Sequence, residues 1–266
     1  MKLFENIAQA RRKKRSKKFE EQARRNHALR MEYMISDEVS FAIAEAFRNF
    51  KASLAVSIPK RKTEEGVAIM MTSACPEDGK TTVAVNLALM FAMSDAKVIL
   101  VDADVRKGRV ARYFKKRSVP GLSDYLSGQA TLDEVTHPAA ESERLSYITC
   151  GTHSPRPYEL LESDEMKALI KELKQKYDYI IIDTPPLLLV SDGLAIVEEV
   201  DGSVLVCRHE TTYVSDIARS LNKLEFAKAK VLGVVVNDYH ARANTSKDNR
   251  YQYYSYCYDT DEEMNK

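Results

Sequence analysis

The chain reads as an α/β protein, a doubly wound and mostly parallel sheet flanked by helices. Three observations predict this class. Six short apolar runs alternate with helix-like segments along the sequence, the order that builds a helix-covered sheet. Those runs are continuous rather than alternating, as strands are when both faces are covered. Finally, a glycine-bearing turn or an acidic turn follows three of them, where a doubly wound sheet holds its ligand.

From the N-terminus, residues 1–35 read as a basic arm, mobile or helical. Eleven of the 40 Lys/Arg and three of the 39 Asp/Glu lie in residues 1–30, so that segment carries +8 and the remainder −7. Its block Arg11-Arg12-Lys13-Lys14-Arg15-Ser16-Lys17-Lys18 reads as a solvated tail or as a cationic surface for an anionic membrane. Nucleic acid is the less favoured partner. From Asp37 to Val56, apolar Val39, Phe41, Ile43, Ala46, Phe47, Phe50 and Leu54 follow helical spacing, with Ser36 or Asp37 as cap. Pro59–Gly66 is a polar connection.

Strands are then predicted at Val67–Ser73, Lys97–Asp102, Leu145–Thr149, Tyr179–Asp183, Ser203–Cys207 and Val231–Asn237, and helices at Lys80–Met93, Ser163–Gln175, Gly193–Glu198 and Val214–Phe226. After Tyr239 the chain turns polar and irregular and ends acidic. At 266 residues it fits one such domain with tails. No run approaches the roughly 18 apolar residues of a membrane span, and no apolar segment follows the basic block as a signal peptide requires. Cys75, Cys150, Cys207 and Cys257 lack the paired spacing of a disulfide framework or zinc site. A reducing cytoplasm is the expected compartment.

Three motifs carry chemistry. Ala74-Cys75-Pro76-Glu77-Asp78-Gly79-Lys80-Thr81 is an A-x4-G-K-T phosphate-binding loop between a strand and a helix. Backbone N–H groups there point at polyphosphate, Lys80 reaches the outer phosphates, and the Thr81 hydroxyl binds Mg²⁺. Two apolar strands run into Asp102-Ala103-Asp104-Val105-Arg106 and Asp183-Thr184-Pro185-Pro186. In a parallel sheet these ends share one edge. Asp102 and Asp183 then hold the waters of a Mg²⁺ at Thr81. Asp102 or Asp104 orients or deprotonates an attacking hydroxyl, while Lys80, Mg²⁺ and Arg106 offset developing charge. Taken singly, each Asp is equally a helix cap or turn residue.

Tyr251, Tyr253, Tyr254, Tyr256 and Tyr258, five of the 14 tyrosines, fall within eight positions near the C-terminus. Such a run is either an adhesive, aggregation-prone segment or a set of accessible phosphate acceptors.

Together the loop, the Asp-x-Asp-x-Arg segment, Ile180-Ile181-Ile182-Asp183-Thr184-Pro185 and the tyrosine cluster resemble the bacterial tyrosine kinases that regulate capsule and exopolysaccharide synthesis. The similarity covers roughly residues 37–258. Lesser matches are Gly151 with Pro157-Tyr158-Glu159-Leu160-Leu161, and Gly233-Val234-Val235-Val236-Asn237. The resemblance implies a P-loop kinase domain over residues 36–240 with an N-terminal oligomerisation helix, and a flexible tail over 241–266. It implies ATP and Mg²⁺ as cofactors, with nucleotide contacts from Pro76, Glu77, Asp78, Gly79, Lys80, Thr81, Thr82 and Asn237. It further implies phosphorylation of the tail tyrosines of a neighbouring subunit in a homo-oligomer such as a ring. A transmembrane activator of the polysaccharide co-polymerase type, an opposing tyrosine phosphatase and a cytoplasmic place at the inner membrane face complete the expectation.

The sequence departs from the family pattern in three places. The ring-forming E-x-x-R-x-x-R is Glu45-x-x-Arg48-x-x-Lys51 here, and Lys lacks the planar fork of Arg. The usual P-G-E-G-K is Pro76-Glu77-Asp78-Gly79-Lys80, which puts a carboxylate where a glycine would allow φ > 0. Arg156 precedes Pro157 where the family commonly has Asn. Two other readings compete. One is a spatial-positioning ATPase, although its signature lysine is Cys75 here and it lacks a terminal tyrosine cluster. The other is a nucleotide-binding scaffold with little transferase activity.

Overall fold

The computed structural model describes residues 41–58 and 65–239, with Met34 and Val39. Everything below lies in the unit beginning at Ser40. In chain order its elements are α1 (Phe41–Ser57), β1 (Val67–Ser73), α2 (Lys80–Ala92), β2 (Val98–Asp102), α3 (Val110–Tyr113), α4 (Leu122–Leu126), α5 (Leu132–Val135), β3 (Thr136–Ala139) and β4 (Ser142–Ile148). There follow α6 (Pro157–Glu162), α7 (Asp164–Lys176), β5 (Tyr179–Asp183), a 3-10 turn (Asp192–Ile196), β6 (Gly202–Arg208), α8 (Val214–Phe226) and β7 (Val231–Asn237).

The sheet has seven strands in the order β3-β4-β2-β5-β1-β6-β7. All pairs are parallel except β3 with β4, so the predicted class holds. The continuous apolar runs are explained by burial: every residue of β2, and every residue of β1 after Val67, is buried. Helix α2 covers one face and is buried almost all round, because α1 lies against its outer side. The other face packs Ala68, Met70, Ile180 and Ile182 against Met166, Leu169, Ile170 and Leu173 of α7. These four recur at helical spacing and form that helix's inner stripe. Ser163 caps α7 by accepting from Met166 N–H at 3.3 Å, so it stands just before the helix rather than in it.

The structure corrects several expectations. β3 was not predicted; with Pro138 in four residues it reads as a turn, and a proline is tolerated only because the strand is at the sheet edge. β4 begins at Ser142, three residues before the apolar run, because pairing with β3 extends it. The segment expected as a helix at Gly193–Glu198 is a 3-10 turn over Asp192–Ile196. A side chain at Gly193 would crowd Thr184, and this close approach accompanies the tighter winding. α1 starts at Phe41, and Leu54 alone of its residues is fully buried. The capping positions Ser36 and Asp37, the basic arm apart from Met34, and the tail from residue 240 lie outside the described residues. No helix among the described residues is long and apolar enough to cross a membrane.

Candidate active site

Adjacent parallel strands set the site. Asp102 ends β2 directly opposite Asp183 at the end of β5, and Met71 of β1 lies opposite Asp183 on the other side. The loop after β1 therefore passes over both aspartates before entering α2. Gly79, at φ 92°, makes the turn into that helix, whose N-terminus has no side-chain cap. Its first N–H groups and its dipole are thus free to face an anion.

The loop is braced from within and from two distant segments. Asp78, buried, accepts from Cys75 N–H at 2.8 Å and from the Thr212 hydroxyl at 2.7 Å. At the end of β7, Asn237 Nδ2 donates to the Asp78 carbonyl at 3.0 Å. It sits so near Gly79 that a side chain there would collide with it. Asn237, expected among the nucleotide contacts, is thus placed against the loop itself. Pro76 and Glu77 are exposed at the turn. Glu77 has φ 69°, the left-handed region implied by the family's glycine, at a cost of roughly 1 kcal/mol for a side-chain-bearing residue.

Beneath the loop is a dense ionic cluster. Lys80 Nζ donates to Asp183 Oδ1 at 3.1 Å and lies 3.5 Å from Asp104 Oδ2. The Thr81 hydroxyl donates to Asp183 Oδ2 at 2.6 Å. Asp102 accepts from Val110 N–H at 2.9 Å and from Asp104 N–H at 3.3 Å. Burial, then the charge of Asp183, pushes the Asp102 carboxyl up to about 8. Burial raises Asp183 as well, opposed chiefly by Lys80. Burial alone would lower Lys80, but Asp183, Asp104 and Asp102 outweigh it and raise its pKa. Two raised carboxylates beside a charged lysine mark a site short of positive charge, and a divalent cation with polyphosphate fits it. Among the described residues no three His, Cys, Asp or Glu side chains form a metal cage. Mg²⁺ needs none where one or two carboxylates and phosphate oxygens join its waters.

Not every expected residue joins this cluster. Arg106 is turned to Asp192 in a two-pronged pair, Nε to Oδ2 at 2.5 Å and Nη2 to Oδ1 at 3.1 Å. The structure gives it the job of holding the β2–α3 loop to the 3-10 turn. Thr82 shares a 2.6 Å hydrogen bond with the Tyr113 hydroxyl. Glu45 and Arg48 pair with each other at 2.9 Å, and Lys51 donates to the Ser94 hydroxyl. Tyr251, Tyr253, Tyr254, Tyr256 and Tyr258 lie outside the described residues. Sequence reasoning missed Thr212, Tyr113, Asp192 and Arg109, whose partners are distant in sequence.

A bare-capped helix after a glycine turn, a buried Lys–Thr pair and aspartates closing two neighbouring parallel strands define a P-loop nucleotide-binding domain. Residues 77–228 match the family model described as AAA domain. Tyrosine-protein kinase YwqD of Bacillus subtilis is 35% identical over 211 residues, covering 79% of this chain and 86% of that protein. The Acinetobacter johnsonii tyrosine-protein kinase ptk is 33% identical over 76% of this chain, which spans only 27% of that protein's length. The chain belongs to the bacterial tyrosine-kinase family. Among solved structures, the kinase domain of Escherichia coli tyrosine kinase ETK superposes with a TM-score of 0.71 at 35% identity, covering 77% of this chain and 78% of that one. A cell-division ATPase MinD of Pyrococcus furiosus reaches 0.56 at 25% identity, over 67% and 74%. The kinase comparison is the better match, and the positioning-ATPase reading is not favoured.

Proposed function

We propose that the protein is an ATP-dependent protein-tyrosine kinase that phosphorylates the tyrosine cluster of a neighbouring subunit and so regulates capsular or exopolysaccharide synthesis and export. The observation that carries this reading is the Lys80–Thr81–Asp183–Asp104 cluster at the N-terminus of α2, in a chain whose tail offers five tyrosines. Bound Mg·ATP supplies the phosphoryl group and a cation for the charge that develops on it. Lys80, held between Asp183 and Asp104, steadies the outer phosphates, and Thr81 with Asp183 and Asp102 holds the metal. A phenol has a pKa of about 10, so the acceptor arrives protonated. Asp104 suits the role of base: its side chain is 10% exposed while that of Asp183 is 0% exposed, and Asp102 is spent on two backbone N–H groups. Asp104 faces the acceptor, and Asp102 stays on the metal side.

The wider setting follows the family resemblance. A transmembrane activator of the co-polymerase type brings the kinase to the inner membrane face, helped by the basic arm. Glu45, Arg48 and Lys51 on α1 exchange their internal partners for a neighbouring subunit in a ring. Each phosphate adds about −1.5 to −2 charge, which drives tails and subunits apart until a tyrosine phosphatase resets them. The test is to incubate purified protein with Mg·ATP and map phosphate by mass spectrometry. Phosphotyrosine is expected within residues 251–258 of the wild type and not in Lys80→Met. A wild type that binds Mg·ATP but gains no phosphotyrosine refutes the transfer reading.

A further inference from the structure

Glu77 and Arg109 meet at the mouth of the loop, and the chemistry above uses Arg109 nowhere. Arg109 Nη2 lies 3.6 Å from Glu77 Oε1, with side chains 32% and 64% exposed. The backbone carrying Arg109 is fixed on both sides. The next residue, Val110, donates its N–H to Asp102 Oδ2 at 2.9 Å. The preceding Gly108 is packed so closely that a Cβ would lie 2.6 Å from Asp102 Oδ2 and would run into Cys150. The Arg109 backbone is therefore anchored beside Asp102, and its long side chain reaches the phosphate loop. The anion it meets there is supplied by the loop, from a residue held in a strained left-handed conformation.

We propose that Glu77 competes for the anion site of its own loop, and that Arg109 exchanges from Glu77 onto the outer phosphates of a bound nucleoside triphosphate. Partly exposed ion pairs are weak, whereas a polyphosphate offers several charged oxygens, pairs of which match the two-pronged fork of a guanidinium. Exchange is therefore favoured once nucleotide enters. The Glu77 carboxylate nonetheless remains near the phosphates, and it lowers affinity for outer phosphates more than for inner ones. Arg109 is thus a further phosphate-binding residue, and Glu77 sets how much nucleotide is needed to recruit it. This rests on the nucleotide reading given above.

Calorimetric titration of the full chain with Mg·ATP and with AMP tests it. Glu77→Gln removes the charge and keeps the shape, and is expected to tighten Mg·ATP binding about three- to tenfold while leaving AMP unchanged. Glu77→Gly, which also relieves the backbone, tightens it at least as much and serves if Glu77→Gln does not fold. Arg109→Gln weakens Mg·ATP, and adding Glu77→Gln to it recovers less than Glu77→Gln gains alone. Equal gains with and without Arg109, an unaltered Mg·ATP affinity in both Glu77 variants, or a matching change for AMP overturns the exchange while leaving the kinase reading in place. Failure of every form to bind Mg·ATP overturns both.

Discussion

Replacing Lys80 with Met, the usual way to silence a phosphate-binding loop, is expected to destabilise this protein as well as inactivate it. Lys80 Nζ stands 3.1 Å from Asp183 and 3.5 Å from Asp104. At an effective dielectric of about 20, each contact amounts to roughly 5 kcal/mol of attraction, offset by the cost of burying the ammonium. Breaking a buried cluster of this kind costs a net of about 3–5 kcal/mol. For a domain of this size that is a fall of roughly 6–20 °C in melting temperature. The loss depends on pH. Burial raises the Asp183 carboxyl and Lys80 is the chief opposing influence, so its removal raises Asp183 further. The folded variant then keeps a proton that the unfolded chain, titrating near 3.8, has released. That contribution is fully present below the unfolded value and is lost as pH rises through the folded one. Thermal unfolding of the nucleotide-free variant at pH 5.5 and pH 8 measures this, with the larger deficit expected at pH 8. A deficit below about 2 °C at pH 8, or an equal deficit at both pH values, would refute the reasoning, since either means the carboxylates do not depend on the lysine. Lys80→Arg, which keeps the charge, belongs beside Lys80→Met in any labelling experiment.

Three further outcomes follow from the same geometry. Asp102→Asn and Asp104→Asn are each expected to cut tail labelling by about 100-fold or more, and wild-type rates in both would overturn the assignment. Because Asp102 is raised to about 8 from 3.8, the nucleotide-free wild type loses stability as pH rises across that window. Asp102→Asn flattens this slope in thermal unfolding. Asn237→Ala removes the 3.0 Å bond to the Asp78 carbonyl, a loss of about 1 kcal/mol and roughly fivefold in nucleotide affinity. An unchanged dissociation constant in calorimetry counts against a bracing role.

What was legible in the sequence was local. β1, β5 and β7 were predicted to the residue, because unbroken apolar runs meet motifs or polar turns at their ends. β3 has four residues and no such run. The family's glycine singles out Glu77 as a position where a positive φ would matter, and the structure has φ 69° there. Lys80, Thr81, Asp102, Asp104 and Asp183 come together because parallel strands deliver their ends to one edge whatever the details between them. The pairings of Arg106 with Asp192 and of Thr212 with Asp78 were not legible. They join residues 86 and 134 positions apart, and nothing in either segment specifies the other. Arg106 reads in the sequence as a charge for the phosphates, and its pairing with Asp192 is visible only in the structure.

The bond from Asn237 to the loop sets a leash length. β7 ends at Asn237 against the phosphate loop, and the first tyrosine of the cluster, Tyr251, follows fourteen positions later. Fully extended, that stretch spans about 45–50 Å, ample to return to its own loop. Under the transfer proposed above, a flexible stretch of this length would hold its own tyrosines at an effective concentration of about millimolar. On the proposed transfer to a neighbouring subunit, choosing a foreign tail is then a contest with a resident rival rather than a matter of reach. Under that proposal, the subunit arrangement would win the contest by presenting the foreign tail in better alignment.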